Sequence, residues 1–192
     1  MITRKEAIVL VKKYIKTKNT VKHMLALEAI MRALAKKLEP EKEKEWALSG
    51  LLHDLDYEQL DQKTCEGHGL KTVQMLKDEG LNLPDSVYQA ILAHNYDKLG
   101  SKYAPKNLMD WSIFIADSLT GLIVAVALVR PSKKLADVKL KSIRKKWKQP
   151  SFAAGTRRED IALCEEKLGI PLDEFILLSL QAMQGICDDL GL

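Results

Sequence analysis

The 22 residues 108–129 carry only two charges, Asp110 and Asp117. A run this apolar either crosses a bilayer or forms the central helix of a packed core. Length admits both outcomes, so composition has to choose. Asp117 lies near the middle, with Ser112, Ser118 and Thr120 close by, and no second run of this kind exists. A buried carboxylate must neutralise, pair or bind a cation, because unpaired burial of a charge is costly. No basic side chain lies within a helical turn of Asp117; the nearest are Lys106 before the run and Arg130 after it. The expectation is a core helix that carries a functional acid, in a chain that does not enter a membrane.

The remaining pattern is helical almost throughout. Thr3 and Glu6 have the spacing of a capping box, followed by an apolar stripe of Ala7, Ile8, Leu10, Val11, Tyr14 and Ile15. Asn19-Thr20 breaks the chain, and further helices are predicted to Leu38 and over 41–54, 67–79 and 84–94. A polar connection covers 56–66 and a loop covers 97–107. After the run that holds Asp117, a basic helix is predicted over 133–147, then helices over 158–168 and 171–190. No strand alternation, internal repeat or low-complexity segment appears. With 192 residues, 46% of them hydrophobic and 29% charged, the chain suits one globular all-α domain. It divides into an N-terminal helix (1–19) packing on the core, a central part (20–129) holding the candidate ligands, and a C-terminal helical extension of the same domain (130–192). The N-terminus has no apolar signal core. Three scattered cysteines, Cys65, Cys164 and Cys187, give no disulfide framework and suit a reducing, cytoplasmic setting.

There are four histidines: His23, His53, His68 and His94. His23 shares a helical face with Leu27, Ile30 and Leu34. His53 lies on one side with Trp46, Gly50 and Asp54, and His94 with Val87, Ala90 and Ile91. Each has a bland reading as a hydrogen-bonded core residue. His94 also sits at a helix end that favours a cation, and His68, between Gly67 and Gly69, reads as a loop residue. A Cys65–His68 zinc pair has no second pair to complete it. Together with Asp54 and Asp117, however, the histidines form a set of imidazoles and carboxylates that could converge on two catalytic metal ions.

The string Gly50-Leu51-Leu52-His53-Asp54-Leu55-Asp56 resembles the signature of HD-domain metal-dependent phosphohydrolases. His23 stands 30 residues before the doublet, as that family's upstream histidine does. Ala93-His94-Asn95 and Ala116-Asp117 resemble its later histidine and closing aspartate. The likeness covers 20–129. Beyond it the chain resembles a group of prokaryotic HDIG-like proteins, a likeness that names no substrate. It implies a helical bundle of the HD-domain type in which His23, His53, Asp54 and Asp117 hold a first metal. Asp54 then bridges to a second metal held by His68 and His94. Leu55-Asp56 departs from the common His-Asp-Ile-Gly variant, and the Gly-Tyr-Pro motif of the cyclic-di-GMP branch is missing.

Such ligands suit one or two divalent ions of manganese, iron, cobalt, nickel or zinc without choosing among them. The ions would lower the pKa of a bound water and polarise a phosphoryl oxygen. The expected activity is hydrolysis of a small phosphate ester, with a nucleotide as the substrate class the resemblance suggests. Asp54 is the carboxylate central to that chemistry, and Asp56 and Glu58 are candidate general acids by position. Residues 130–148 hold nine Lys or Arg and one acid, Asp137, in a chain of net charge +4. Lys134, Lys141, Lys145 and Lys148 fall on one helical side, opposite Ala136, Leu140, Ile143 and Trp147. Most of these lysines read as a solvated face. Arg130 and Lys133, leaving the helix of Asp117, are the candidate phosphate binders. Nucleic acid is disfavoured, because only Trp147 and Phe152 interleave the patch. Two other functions fit the residues: a di-iron oxygenase of the HD fold, and a nucleotide-binding regulator with a structural metal. An apolar face of Phe175, Leu178, Met183 and Ile186 would serve either the core or a homodimer.

Overall fold

The chain enters its first helix, α1 (Arg4–Tyr14), through the capping box: Glu6 N donates to Thr3 Oγ1 at 3.3 Å and Thr3 N donates to Glu6 Oε2 at 2.7 Å. The computed structural model describes residues 1–61 and 64–192, of which 69% of the chain is helix and none is strand among the described residues. Two long helices form the frame, α2 (Lys18–Leu38) and α7 (Leu108–Leu128). Against them pack α3 (Glu43–Leu52), α4 (Leu70–Asp78), α5 (Asp85–Ala93) and the short α6 (Tyr96–Leu99). The C-terminal part adds α8 (Leu140–Trp147), α9 (Arg158–Ala162), α10 (Cys164–Leu168), α11 (Leu172–Gln184) and α12 (Cys187–Leu190).

The apolar run is a core helix. Thirteen of its side chains, including Ile113, Phe114, Ile115, Leu119, Leu122 and Ile123, are buried, and α7 packs on α2, α5, α9 and α10. It is long and apolar enough to cross a membrane, but 61% of its most apolar window is buried inside the molecule. Two apolar clusters surround the frame. One joins α2 and α7 to the C-terminal helices; the other joins α1, α3, α4 and α5. Helices α2 and α3 contribute to both, which places the ends of α3 and α5 beside the middle of α7.

Helices α2 and α3 approach unusually closely at Gly50. A Cβ there would lie 2.9 Å from the backbone carbon and oxygen of Leu27 and 3.0 Å from Glu28 N. His23 lies one helical turn from Leu27, and His53 follows Gly50 by three residues. The backbone contact therefore determines how near the two imidazoles come. Below it, the buried Glu28 carboxylate is gripped by Arg4 (2.6 Å) and Arg32 (3.1 Å), tying α1 to α2.

Several boundaries differ from the sequence expectation. Helix α2 begins at Lys18, so the break precedes Asn19-Thr20. Residues 97–107 are not all loop: α6 and a 3₁₀ turn at Ser101–Tyr103 lie there. The basic helix starts at Leu140 rather than at residue 133, because Pro131 and a left-handed Lys133 (φ 53°) interrupt it. A 3₁₀ turn, Leu135–Asp137, intervenes; Leu135 and Val138 are buried and Ala136 faces out. The last two predicted helices are each split, at Leu163 and at Gly185-Ile186. Phe175 and Met183 are wholly buried in the core, and Leu178 and Ile186 are partly buried against the same cluster.

Candidate metal centre

Five elements deliver six side chains to one place. His23 comes from the second turn of α2, His53 and Asp54 from the end of α3, and His94 from the end of α5. Asp117 comes from the middle of α7, and His68 from the turn before α4. Asp54 is the hub, and it is buried. Its Oδ1 lies 3.1 Å from His53 Nε2, 3.1 Å from His68 Nε2 and 3.8 Å from His94 Nε2, and its Oδ2 lies 3.5 Å from His23 Nε2. Asp117 Oδ1 lies 3.0 Å from His23 Nε2 and 3.9 Å from His53 Nε2. The donor atoms fall into two groups, His23–His53–Asp54 and Asp54–His68–His94, each with its atoms within 4.8 Å of one another. Asp54 belongs to both.

The outer nitrogen of every imidazole is occupied, which fixes the inner one as the ligand atom. His53 Nδ1 donates to Gly50 O at 2.9 Å, and His94 Nδ1 donates to Ile91 O. A carbonyl can only accept, so these protons are assigned by their partners. His68 Nδ1 donates to the buried Asp56 carboxylate at 2.7 Å. His23 Nδ1 meets Thr120 Oγ1 at 2.9 Å, and that hydroxyl spends its only proton on Asp117 O at 2.8 Å, so it must accept from His23. Four Nε2 atoms thus turn inward, two pairs of them only 3.1 Å apart.

The electrostatics demand positive charge. For His23, burial opposes the imidazolium, but the hydrogen bond and charge of Asp117, aided by Asp54, push its pKa up to about 9. For His68, burial is likewise outweighed by Asp54 and Asp56, and the pKa rises to about 10. Burial, reinforced by the charges of His53 and His68, drives His94 down to about 4, and burial lowers His53 too. The carboxylates thus favour positive charge at His23 and His68, while burial disfavours it at His53 and His94. Inward imidazole and carboxylate donors with assigned tautomers fit a pair of divalent transition-metal ions.

Asp56 stands behind this centre. Fully buried, it accepts from His68 Nδ1, Gly69 N (2.7 Å) and Thr72 N (3.1 Å), and Thr72 Oγ1 donates to His53 O at 3.2 Å. The carboxylate expected as a general acid is thus engaged by His68, Gly69 and Thr72, behind the donor groups. Gly69 completes the fit: its φ is +87°, and a Cβ would lie 3.2 Å from Ile91 O and 3.4 Å from the His94 ring. Glu58, the other candidate acid, does not join the cluster. Its carboxylate accepts from Lys16 N at 2.9 Å and Thr17 N at 2.7 Å, and these backbone donors hold its pKa below the usual range. Cys65 belongs to neither donor group.

A cavity of about 460 Å³ opens over His23, His68, His94 and Asp117, walled on the far side by residues 153–157. Arg130 and Lys133 do not line it. They lie past the end of α7, roughly 20 Å from Asp117 at 1.5 Å of rise per residue, and Arg130 reaches Ser142 instead (3.4 Å). The cation at the cavity is Arg157, with Nη2 3.9 Å from Asp117 Oδ2. Asp117 is therefore not without a basic neighbour. Arg157 and Thr72 give no signal in the sequence, and Ser118 and Thr120 stand out only as polar neighbours of Asp117, because each acts through a partner distant along the chain.

An all-helical frame gathering four imidazoles and two carboxylates defines a helical protein built to bind metal. The family model for the HD domain matches residues 20–122, more than half of the chain, and the chain belongs to the HD-domain family, a superfamily of metal-dependent phosphohydrolases. A search of curated proteins found no match, and a search of solved structures found none either.

Two outer partners give direct predictions. Thr120→Val removes the acceptor of His23 Nδ1–H and should weaken metal binding at the His23–His53 group about 10–100-fold, with Thr120→Ser restoring it. Asp56→Ala should do the same at the His68–His94 group, leaving the first group loaded. Metal titration against a chromophoric chelator measures both. Unchanged affinity in either variant would show that its hydrogen bond does not orient the ligand.

Proposed function

We propose that the chain is a metal-dependent hydrolase of a small phosphate ester, with His23, His53, Asp54 and Asp117 holding one divalent ion and Asp54, His68 and His94 a second. The observation that carries this reading is Asp54, which belongs to both donor groups, while His23, His68, His94 and Asp117 around it line an open cavity. A metal pair there would supply an activated water and a polarising charge for a phosphoryl oxygen.

The protein's own part is preorganisation. The Nδ1 hydrogen bonds lock four imidazoles in one tautomer, so little reorientation is needed when a cation arrives. Asp54 and Asp117 supply the negative charge that balances it. The cavity admits solvent and a small ligand over the exposed edges of His23 and Asp117, while His53 and His94 stay buried. A nucleotide is the substrate class that the family resemblance suggests. Among its described lining residues the cavity has no Phe, Tyr or Trp, so a base would have only imidazole or guanidinium faces to stack on. Simple phosphate esters therefore belong in the same test. Three free cysteines suit a reducing, cytoplasmic setting.

The test is purification without added metal, elemental analysis, and a screen of nucleotides and simple phosphate esters for phosphate release. Two ions per chain with metal-dependent phosphate release is the expected result. Two irons with oxygen uptake and no phosphate release would overturn it in favour of an oxygenase.

A further inference from the structure

Arg157 is an arginine that lines the cavity over the candidate ligands. Two of its three nitrogens are held by carboxylates, Nε by Asp160 at 3.1 Å and Nη1 by Asp97 at 3.3 Å. The guanidinium centre lies 5.1 Å from the centroid of the Phe114 ring. The third nitrogen, Nη2, lies 3.9 Å from Asp117 Oδ2, too far for a hydrogen bond. One donor nitrogen is thus held beside the candidate ligands, on a residue that lines the cavity, with its orientation set by Asp97 and Asp160.

The segment that carries Arg157 is built to hold it there. The next residue, Arg158, turns the other way and donates to four carbonyls of the preceding segment: Trp147 (3.1 Å), Gln149 (3.3 Å), Phe152 (2.6 Å) and Thr156 (3.4 Å). Residues 147–156 wrap around that guanidinium. Arg157 N then donates to Ser118 Oγ at 2.7 Å, which pins the segment to α7 one residue beyond Asp117. Arg158 orders the wall and Arg157 is what the wall presents.

We propose that Arg157 and the metal centre together form an oxyanion subsite, in which Nη2 donates to a phosphoryl oxygen of the substrate. This rests on the hydrolase reading above. A guanidinium suits the task because it stays charged and its planar frame fixes the direction of each N–H. Asp97 and Asp160 leave Nη2 without a hydrogen-bonded carboxylate while removing the entropy of the long side chain before ligand arrives. The residue lies outside the stretch matched by the HD-domain model, which ends at residue 122. The grip on the substrate phosphoryl group is therefore supplied by the C-terminal region and the hydrolytic centre by the HD domain.

The probe is inorganic phosphate, titrated calorimetrically into the metal-loaded chain. Arg157→Ala should weaken phosphate binding about tenfold or more, as loss of a hydrogen bond to a charged group predicts, with metal content unchanged. Arg157→Lys, which keeps the charge but not the planar frame, should fall between the two, and Lys141→Ala should match the unaltered chain. In turnover of a simple phosphate ester, Arg157→Ala should raise KM. Phosphate affinity in Arg157→Ala or Arg157→Lys equal to that of the unaltered chain overturns the subsite; if the alanine variant does not fold, the lysine variant decides. Arg157-dependent phosphate binding without hydrolysis of any ester overturns the hydrolase reading and leaves the subsite standing. Hydrolysis with an unimpaired Arg157→Ala overturns the subsite alone.

Discussion

Asp54→Ala is expected to empty both metal positions at once and abolish phosphate release. Among the described residues no other side chain belongs to both donor groups, and its oxygens lie within 3.8 Å of all four inward nitrogens. Without it, the four imidazoles face one another with only Asp117 to balance a cation. Two divalent charges in a buried cluster would then lack the carboxylate that stabilises them. The loss should exceed the roughly 10–100-fold expected for an outer hydrogen-bonding partner. His94→Ala gives the contrast, since it should release the second ion and keep the first. Elemental analysis of the two variants beside unaltered protein separates these outcomes. Two ions retained by Asp54→Ala would mean that the metals bind elsewhere.

Gly50→Ala should be the most damaging single methyl group in the chain. The added carbon would lie 2.9 Å from the backbone of Leu27, where no rotamer change can relieve the overlap. Helices α2 and α3 must then separate, at a cost of about 3 kcal/mol on the scale of overpacked cores. For a chain of this size the melting temperature should fall by roughly 6–12 °C. The shift also acts on the site, because His23 and His53 stand on either side of that contact, 3.1 Å apart. Thermal unfolding with and without added metal measures both effects. A melting temperature within a degree of the unaltered protein would show that the crossing is looser than the backbone distances indicate.

The helical frame was largely legible because its information is local. Apolar spacing marks α2, α5 and α7, and the Thr3–Glu6 cap marks α1. His23, His53 and His94 on inward faces and Asp117 in an apolar run stand out in any window, whereas His68 read as a loop residue and joined the set through the family resemblance. The partners of these residues do not stand out. Asp56 looked like one acid in a polar connection until the fold brought it to His68, Gly69 and Thr72. Arg130 looked well placed because it follows Asp117 along the same helix, yet a helix carries such a residue away at 1.5 Å per position. Arg157 arrives from forty residues downstream through a segment whose shape depends on Arg158, and no periodic signal encodes that. The basic helix was expected to start at residue 133 because the charge periodicity begins there, but Lys133 is left-handed and a 3₁₀ turn precedes Leu140.

Glu58 has a consequence of its own. Helix α2 has no acidic residue in its first turn and no cap from the Thr17 side chain; the carboxylate that serves the backbone there comes from beyond the His53-Asp54 doublet. In hydrogen-exchange terms, the Lys16 and Thr17 amides are shielded by a side chain more than forty residues away. Their protection should therefore report whether the segment leaving the doublet is docked, and metal loading should slow their exchange. A mass-spectrometric readout at the start of α2 becomes a label-free gauge of how far the centre has assembled. Glu58→Gln should shorten that protection without removing the ions.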